Sequence, residues 1–584
     1  MNLQRMVSAK IFVLLGFLTI IFWLLSINYT PSIDKILPPD PFFFAKNLSV
    51  FYWLSLAPLF TLLFLRLITS TYEKVRRLLD VFLIGCLVLV IYATPCFTYS
   101  LPVYVDTYIH TSASLKILLR GHTPPSESMM AASNEPGSYF FFSVFMLLTG
   151  LDSLVFMRYY PILISSILLL VLYITSLKFA SPDFAIISPF VYTASAYGRI
   201  FHVYPANLTY VFYALFLYFL AFPTGRKRES KSLMLLLTFS ATIVYILVPP
   251  LLFLSSLMPF IPLLWKTETK RNLIAPTVIL VIWASWLMYV AQGSFAYIVS
   301  WLKEALSGPI TSKLSASLFS PASVRIIPLL LKQAITVFVI STGVIIAIFC
   351  FMNNKKPLKK ILIIGGNFIL CCLVIFAFFV FAPEASTRFY SFSLVPYSVL
   401  VSLYISAGQI TDGIKPEKLR QVFTYVLLVS MILFLLIVPI VRNDNDAGFY
   451  YPSSSLKGAD FTVENLKGNV VWVRQHLHLI EYMASRRGVL LEGYMGSQQN
   501  ENVSFISLSR YLWLHNESAF LLYFSEKVIK DYDSIIFNDY EDAYMVMSGE
   551  EKYVEARALY EQYISEKLNR IYSSGTLRVY SSNR

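Results

Sequence analysis

The chain has 584 residues, 57% of them hydrophobic and only 14% charged, with a mean hydropathy of +0.63. That balance excludes an ordinary water-soluble globular protein and predicts a polytopic helical membrane protein, since about 20 apolar residues cross a ~30 Å hydrocarbon core. The formal charge of +13 does not indicate nucleic acid, because most Lys and Arg sit in short loops between apolar runs, where the positive-inside bias puts them.

The first apolar run, 11–27, follows Arg5 and Lys10 and lacks a small-x-small cleavage site. It reads as a retained signal anchor with a cytoplasmic N-terminus. Further spans are expected near 48–69, 80–97, 156–178, 184–199, 206–222, 232–249, 251–265, 273–292, 324–350, 361–381, 391–409 and 421–440, which makes thirteen. Basic clusters mark the cytoplasmic loops: Lys74 with Arg76 and Arg77, then Thr224–Lys231, Lys266–Arg271, Asn353–Lys360 and Lys415–Arg420. An odd count places the C-terminus outside. The apolar stretch Gly137–Gly150 is short for a span, and counting it would move Thr224–Lys231 outside. It is read instead as a helix that stays at the outer interface.

The external loops are then 28–47, 98–155, 200–205, 293–323 and 382–390. Asn-x-Ser/Thr sequons at Asn28, Asn47, Asn207, Asn502 and Asn516 all fall on the external side, with Asn207 too near the lipid for modification. The five cysteines, Cys86, Cys96, Cys350, Cys371 and Cys372, lie in or beside apolar runs and form neither a disulfide framework nor a metal-ligand spacing. From 443 to 584 the chain becomes polar and contains no spanning run. Short β-type runs at Asn469–Val473, Gly488–Tyr494 and Ser534–Asp539, a helical stretch over Ser548–Leu568 and a terminal hairpin around Ser573–Gly575 predict a small external α/β domain. No internal repeat supports an inverted-repeat transporter. Three parts result: an N-terminal transmembrane hairpin (1–79), a transmembrane core (80–442) and a soluble extracytoplasmic domain (443–584).

Chemistry concentrates in the external loops. Asp106 and His110 are four residues apart, on one face of a helix that should run to Arg120 and stop at Gly121. The plain alternative is a first-turn carboxylate favoured by the helix dipole, with a solvated histidine beside it. The same loop adds Glu127 and Glu135, and Arg158 follows at the head of a span. Arg199 and His202 fall at the same membrane face, as do Lys303, Glu304, Glu384 and Arg388. Arg388 heads a run entering the hydrocarbon, so its charge snorkels or meets an anion. A carboxylate, imidazoles and arginines at one interface suit group transfer from an anionic lipid: the carboxylate takes the proton of an attacking hydroxyl, and arginine binds a phosphate in bidentate fashion.

The order of a span, "VDTYIHTSASLKILLRGHTP", "NEPGSYFFFSVFMLLTGLD", "MRYYPILISS" and a late "RFYSFSLVP" resembles the GT-C-type membrane glycosyltransferases. That superfamily includes the oligosaccharyltransferase catalytic subunits and the dolichyl-phosphate-mannose protein mannosyltransferases. The resemblance covers most of 80–440. It implies that Asp106 is the catalytic or metal-binding carboxylate and that Arg388 meets the lipid phosphate. The C-terminal part, ending in a Tyr-x-x-Gly hairpin, looks like that of archaeal members. Three departures stand out: no Trp-Trp-Asp-Tyr-Gly sequence, no carboxylate in "RIFHVYPANLT", and an added leading pair of spans. The second removes a metal ligand and favours a metal-independent enzyme using a monophosphate-linked sugar.

The expectation is therefore a glycosyltransferase with a polyprenyl-phosphate-sugar donor and a protein, lipid or glycan acceptor, in the plasma membrane and acting on its outer side. Asp106 would be the base, and His110, Glu135, Arg199, His202 and Arg388 would bind substrate. No cofactor is expected, and a divalent metal such as Mg or Mn is disfavoured. The alternatives are a transporter, a lipid-linked sugar flippase or polymerase, or a scaffold for the C-terminal domain.

Overall fold

The computed structural model describes all residues except 1, 36, 39, 69–72, 124–133, 198–201, 222–226, 259–273, 297–298, 300–325, 353–357, 382, 408–416, 444–449, 466–467, 473–476, 488–502, 508–533, 539–560, 563–564, 566–568, 574–576 and 582–584. Helix α1 (Asn2–Tyr29) lies against α3 (Val50–Ile68), with the short α2 (Phe43–Asn47) between them in sequence. Helix α4 (Glu73–Leu87) passes through a π-helical turn (Val88–Ala93) into α5 (Thr94–Thr98). Pro95 has no N–H for the preceding turn, and a π turn is where a helix absorbs such a defect. The site helix α6 (Val105–Arg120) ends as the sequence predicts, at Gly121 with φ +73°. Helix α7 (Pro136–Thr149) ends at Gly150 with φ +64°.

The core continues through α8 (Ser153–Phe179), α9 (Ile187–Ser195), α10 (Pro205–Ala221), α11 (Lys227–Val244), α12 (Val248–Leu257), α13 (Ile274–Tyr289), α14 (Ile326–Met352), α15 (Leu358–Phe381), α16 (Pro383–Ala407) and α17 (Glu417–Asn443). Seven of the described helices are long and apolar enough to cross a membrane: Lys10–Tyr29, Val50–Ile68, Val75–Thr98, Ser153–Phe179, Ile326–Cys350, Ser386–Ser406 and Gln421–Asn443. Five shorter apolar helices accompany them, including the 14-residue α7. The span expected at 184–199 is in part the nine-residue α9, buried along its whole length. Nine residues rise only about 14 Å, so α9 does not cross alone. The outward faces are apolar: Val13, Phe376 and Leu148 are 71%, 74% and 80% exposed. Water would penalise such faces, whereas lipid does not.

Helix α16 is the central element, with 94% of its apolar window buried. Its small polar residues permit close approach. Ser398 accepts from Ser188 at 3.1 Å, Ser402 donates to the Phe184 carbonyl at 2.5 Å, and Tyr390 donates to the Ser195 carbonyl at 3.0 Å. One end of the bundle is locked by a buried ion pair. Arg66 grips Asp80 with two bonds of 2.6 and 3.0 Å, and Tyr173 donates to the same carboxylate at 2.7 Å. Three helices, α3, α4 and α8, meet at that pair.

After α17 come α18 (Ser453–Asn465), β1 (Gly468–Trp472), α19 (Leu477–Arg486), β2 (Val503–Ser507), β3 (Ser534–Asn538), β4 (Asn569–Ser573) and β5 (Leu577–Ser581). The strands form one sheet in the order β2-β1-β3-β5-β4. β1 is parallel to β2 and β3, and β5 is antiparallel to β3 and β4. The strand runs expected from 469 and 534 occur as β1 and β3, and the terminal strand pair occurs as β4 and β5. β2 was not anticipated, and 488–494 and most of 548–568 lie outside the described residues.

Candidate active site

At the other end of the bundle from the Arg66–Asp80 pair, α6 begins with a conformational irregularity. Tyr104 has φ +80°, the one positive φ at a non-glycine position among the described residues. Such a residue costs on the order of 1–3 kcal/mol and persists only where its surroundings hold it. Its carbonyl accepts from Thr107 N at 3.1 Å, its hydroxyl donates to the Arg442 carbonyl at 3.3 Å, and its neighbour Val103 pairs with Tyr450. The turn aims Asp106, in the first turn of α6, at the loop before α10.

That loop carries His202. Its Nε2 lies 3.9 Å from Asp106 Oδ2, with the imidazole 1% and the carboxylate 29% exposed. His202 is held by Asn207, whose amide donates to its carbonyl at 2.7 Å. Asn207 is thus a buried structural residue. The His202 ring lies between two tyrosines: Tyr104 at 5.0 Å and Tyr204 at 5.2 Å between centroids. The Arg388 guanidinium sits 5.6 Å from the far side of this series, over the Tyr204 ring, and donates to Tyr245 Oη at 2.7 Å. The row therefore reads Tyr104, His202, Tyr204, Arg388, with Asp106 beside the imidazole.

His110, one turn after Asp106, packs 5.2 Å from the Tyr204 ring, and its Nδ1 is 2.9 Å from Tyr139 Oη on α7. Glu135 precedes α7 and is buried. Its Oε1 accepts from Ile246 N at 3.1 Å. Burial pushes its carboxyl up to about 7, with the Ile246 N–H and the Arg388 charge partly opposing. A carboxyl in that range holds or releases a proton near neutrality.

Asp106, His110, Glu135, His202 and Arg388 thus come together from four separate segments. Arg199, Glu127, Lys303 and Glu304 lie outside the described residues, as does the side chain of Glu384. Arg158 stands apart, donating from Nε to the Cys96 carbonyl at 2.6 Å. Sequence reasoning missed Tyr104, Tyr139, Tyr204 and Tyr245. The only signal for the first and third was a tyrosine two residues from each key residue, in "YVD" and "HVY".

Among the described residues no three His, Cys, Asp or Glu side chains gather as a ligand set. Asp106 and His202 supply two donor groups, and Glu135 Oε1 is committed to a backbone amide. Among the described residues this donor set does not fit a divalent ion.

The helical membrane core, with a polar cluster at one end of a central helix, has counterparts of similar fold among solved structures. The oligosaccharyltransferase of Archaeoglobus fulgidus in its apo form superposes with a TM-score of 0.50 at 10% identity, covering 88% of this chain and 75% of that one. ArnT from Cupriavidus metallidurans bound to undecaprenyl phosphate also gives 0.50, at 12% identity, covering 85% of this chain and 97% of that one. No protein-family model matches the sequence, and no curated protein matches it. At these identities the likeness is one of fold.

Proposed function

We propose that the chain is a membrane glycosyltransferase that moves a sugar from a polyprenyl-phosphate-linked donor to an acceptor on the extracytoplasmic side. The observation that carries this reading is the convergence of a partly exposed carboxylate, two imidazoles and a partly buried arginine on one cluster. The solved ArnT structure, of like fold, is bound to undecaprenyl phosphate, which supports a lipid phosphate as donor leaving group.

Asp106 accepts the proton of the acceptor nucleophile as its oxygen or nitrogen bonds to the anomeric carbon. The bond from that carbon to the phosphate oxygen breaks, and the electron pair leaves with the phosphate. Arg388 stabilises that charge, and Tyr245 and Tyr204 hold the guanidinium in place. His202 orients the carboxylate, and His110 and Glu135 line the sugar side. A single displacement of this kind inverts the anomeric carbon.

The test is transfer of labelled sugar from a panel of polyprenyl-phosphate sugars by the full chain in nanodiscs, with and without chelator. Asp106→Asn should lower the rate by about 10²–10⁴-fold, the usual contribution of a general base. Near-normal transfer by that variant would remove Asp106 from the role. Transfer abolished by chelator would overturn the metal-independent mechanism.

A further inference from the structure

A cavity of about 40 Å³ opens beside the cluster. Tyr52, Tyr92 and Tyr104 line it together with Arg158, Arg442 and Asn443, and among the described residues no Asp or Glu does. Its volume holds about three water-sized groups at ~10–15 Å³ each. Two arginines from different helices, α8 and α17, line it. Arg442 is fixed by the Ala196 and Thr193 carbonyls at 2.6 and 2.7 Å and lies 5.0 Å from the Tyr92 ring. Arg158 gives its Nε to the Cys96 carbonyl. That bond leaves the two terminal amino groups of the fork for a further acceptor. Arginine forks in an aromatic, carboxylate-free cavity favour a planar or tetrahedral oxyanion.

The wall between this cavity and the reaction cluster is one ring thick. Tyr104 lines the cavity and stands 5.0 Å from His202, which in turn is 3.9 Å from Asp106. The row of rings thus has arginine at both ends: Arg388 beyond Tyr204, and Arg158 with Arg442 beyond Tyr104. A transferase brings two substrates to one base.

We propose that this cavity binds a phosphate monoester carried by the acceptor, while Arg388 holds the phosphate of the donor. The proposal rests on the glycosyltransferase reading for the word acceptor, but its binding test does not require activity. Phenyl phosphate is titrated calorimetrically into the full chain in phosphatidylcholine nanodiscs. The wild type should show two classes of site. Arg158→Gln should weaken one class at least tenfold and leave the other, and Arg388→Gln should do the reverse. Arg158→Lys, with its melting temperature, separates a lost site from a lost fold.

Competition then distinguishes the source of the phosphate. Displacement by phosphatidic acid in the nanodisc marks a lipid acceptor, and displacement by glycerol 3-phosphate alone marks a soluble one. Unchanged phenyl phosphate binding in a folded Arg158→Gln variant, loss of all binding in Arg388→Gln, or displacement by neither competitor overturns the proposal. Where transfer is measurable, Arg158→Gln should raise KM for the acceptor about tenfold and leave KM for the donor unchanged. A raised donor KM instead overturns it. A chain that binds at two sites but transfers no sugar would sink the transferase reading and leave the phosphate site standing.

Discussion

Glu135 shows how one residue links fold and chemistry. A carboxyl buried beneath Arg388, with one oxygen on a backbone amide, has its proton held to about pH 7 instead of the usual carboxylate range. The folded state therefore binds a proton that the unfolded chain has already lost between about pH 4.5 and 7. Stability from this group is full below the unfolded pKa and falls as pH rises through 7. Thermal unfolding of the purified protein should show a melting temperature that declines from pH 5 to pH 8, and Glu135→Gln should flatten that decline. An unaltered slope in the variant would assign the pH dependence elsewhere. The residue was legible in the sequence only as a carboxylate in a loop. Its partners, Ile246 and Arg388, lie more than a hundred residues away, and nothing local encodes them.

Among the elements, α6 and α7 form the floor of the site, and their ends were legible because glycine in a left-handed conformation stops a helix by local sterics. Their seating was not. A Cβ on Gly137 would lie 2.7 Å from Ile243 Cγ1 and 3.0 Å from the Ile243 carbonyl oxygen, so α7 approaches α11 where only hydrogen fits. Gly137→Ala should therefore destabilise the protein by about 1–3 kcal/mol and loosen Tyr139 from His110. Ile243→Ala in the same chain should restore part of the loss, because the side-chain clash goes while the carbonyl stays. A Gly137→Ala protein that melts with the wild type would mean that α7 sits further out. The same contrast explains α9. Hydropathy marks 184–199 as apolar, which is true of a span and equally true of a nine-residue helix buried among others.

The whole molecule is held from the end opposite the site. The Arg66–Asp80 pair is fully buried and joined by Tyr173, so removing one partner leaves a charge without compensation. Asp80→Asn should lower stability by about 3–5 kcal/mol, read as a large drop in melting temperature in detergent. Replacing both partners, Arg66→Met with Asp80→Leu, should recover most of it. Equal melting of Asp80→Asn and wild type would show that the pair contributes nothing. At this scale the sequence revealed the class of fold through hydropathy and charge, and the polar C-terminal part through a change in composition. It did not reveal that the C-terminal part returns to the site. α19 lies along α6, with Ser485 3.1 Å from Ser112, Tyr482 2.8 Å from Ser153, and Arg486 3.0 Å from Asp152.

That return has a consequence in time. Translation runs from the first residue to the last at about 5–20 residues per second, and roughly 380 residues separate Asp106 from the end of α19, an interval on the order of 20–80 s. Throughout it the nascent chain exposes α6 without the helix that braces it. The loop that carries Asp106 is delivered early and braced late, so the protein passes through its own insertion into the membrane before this end of the bundle is assembled.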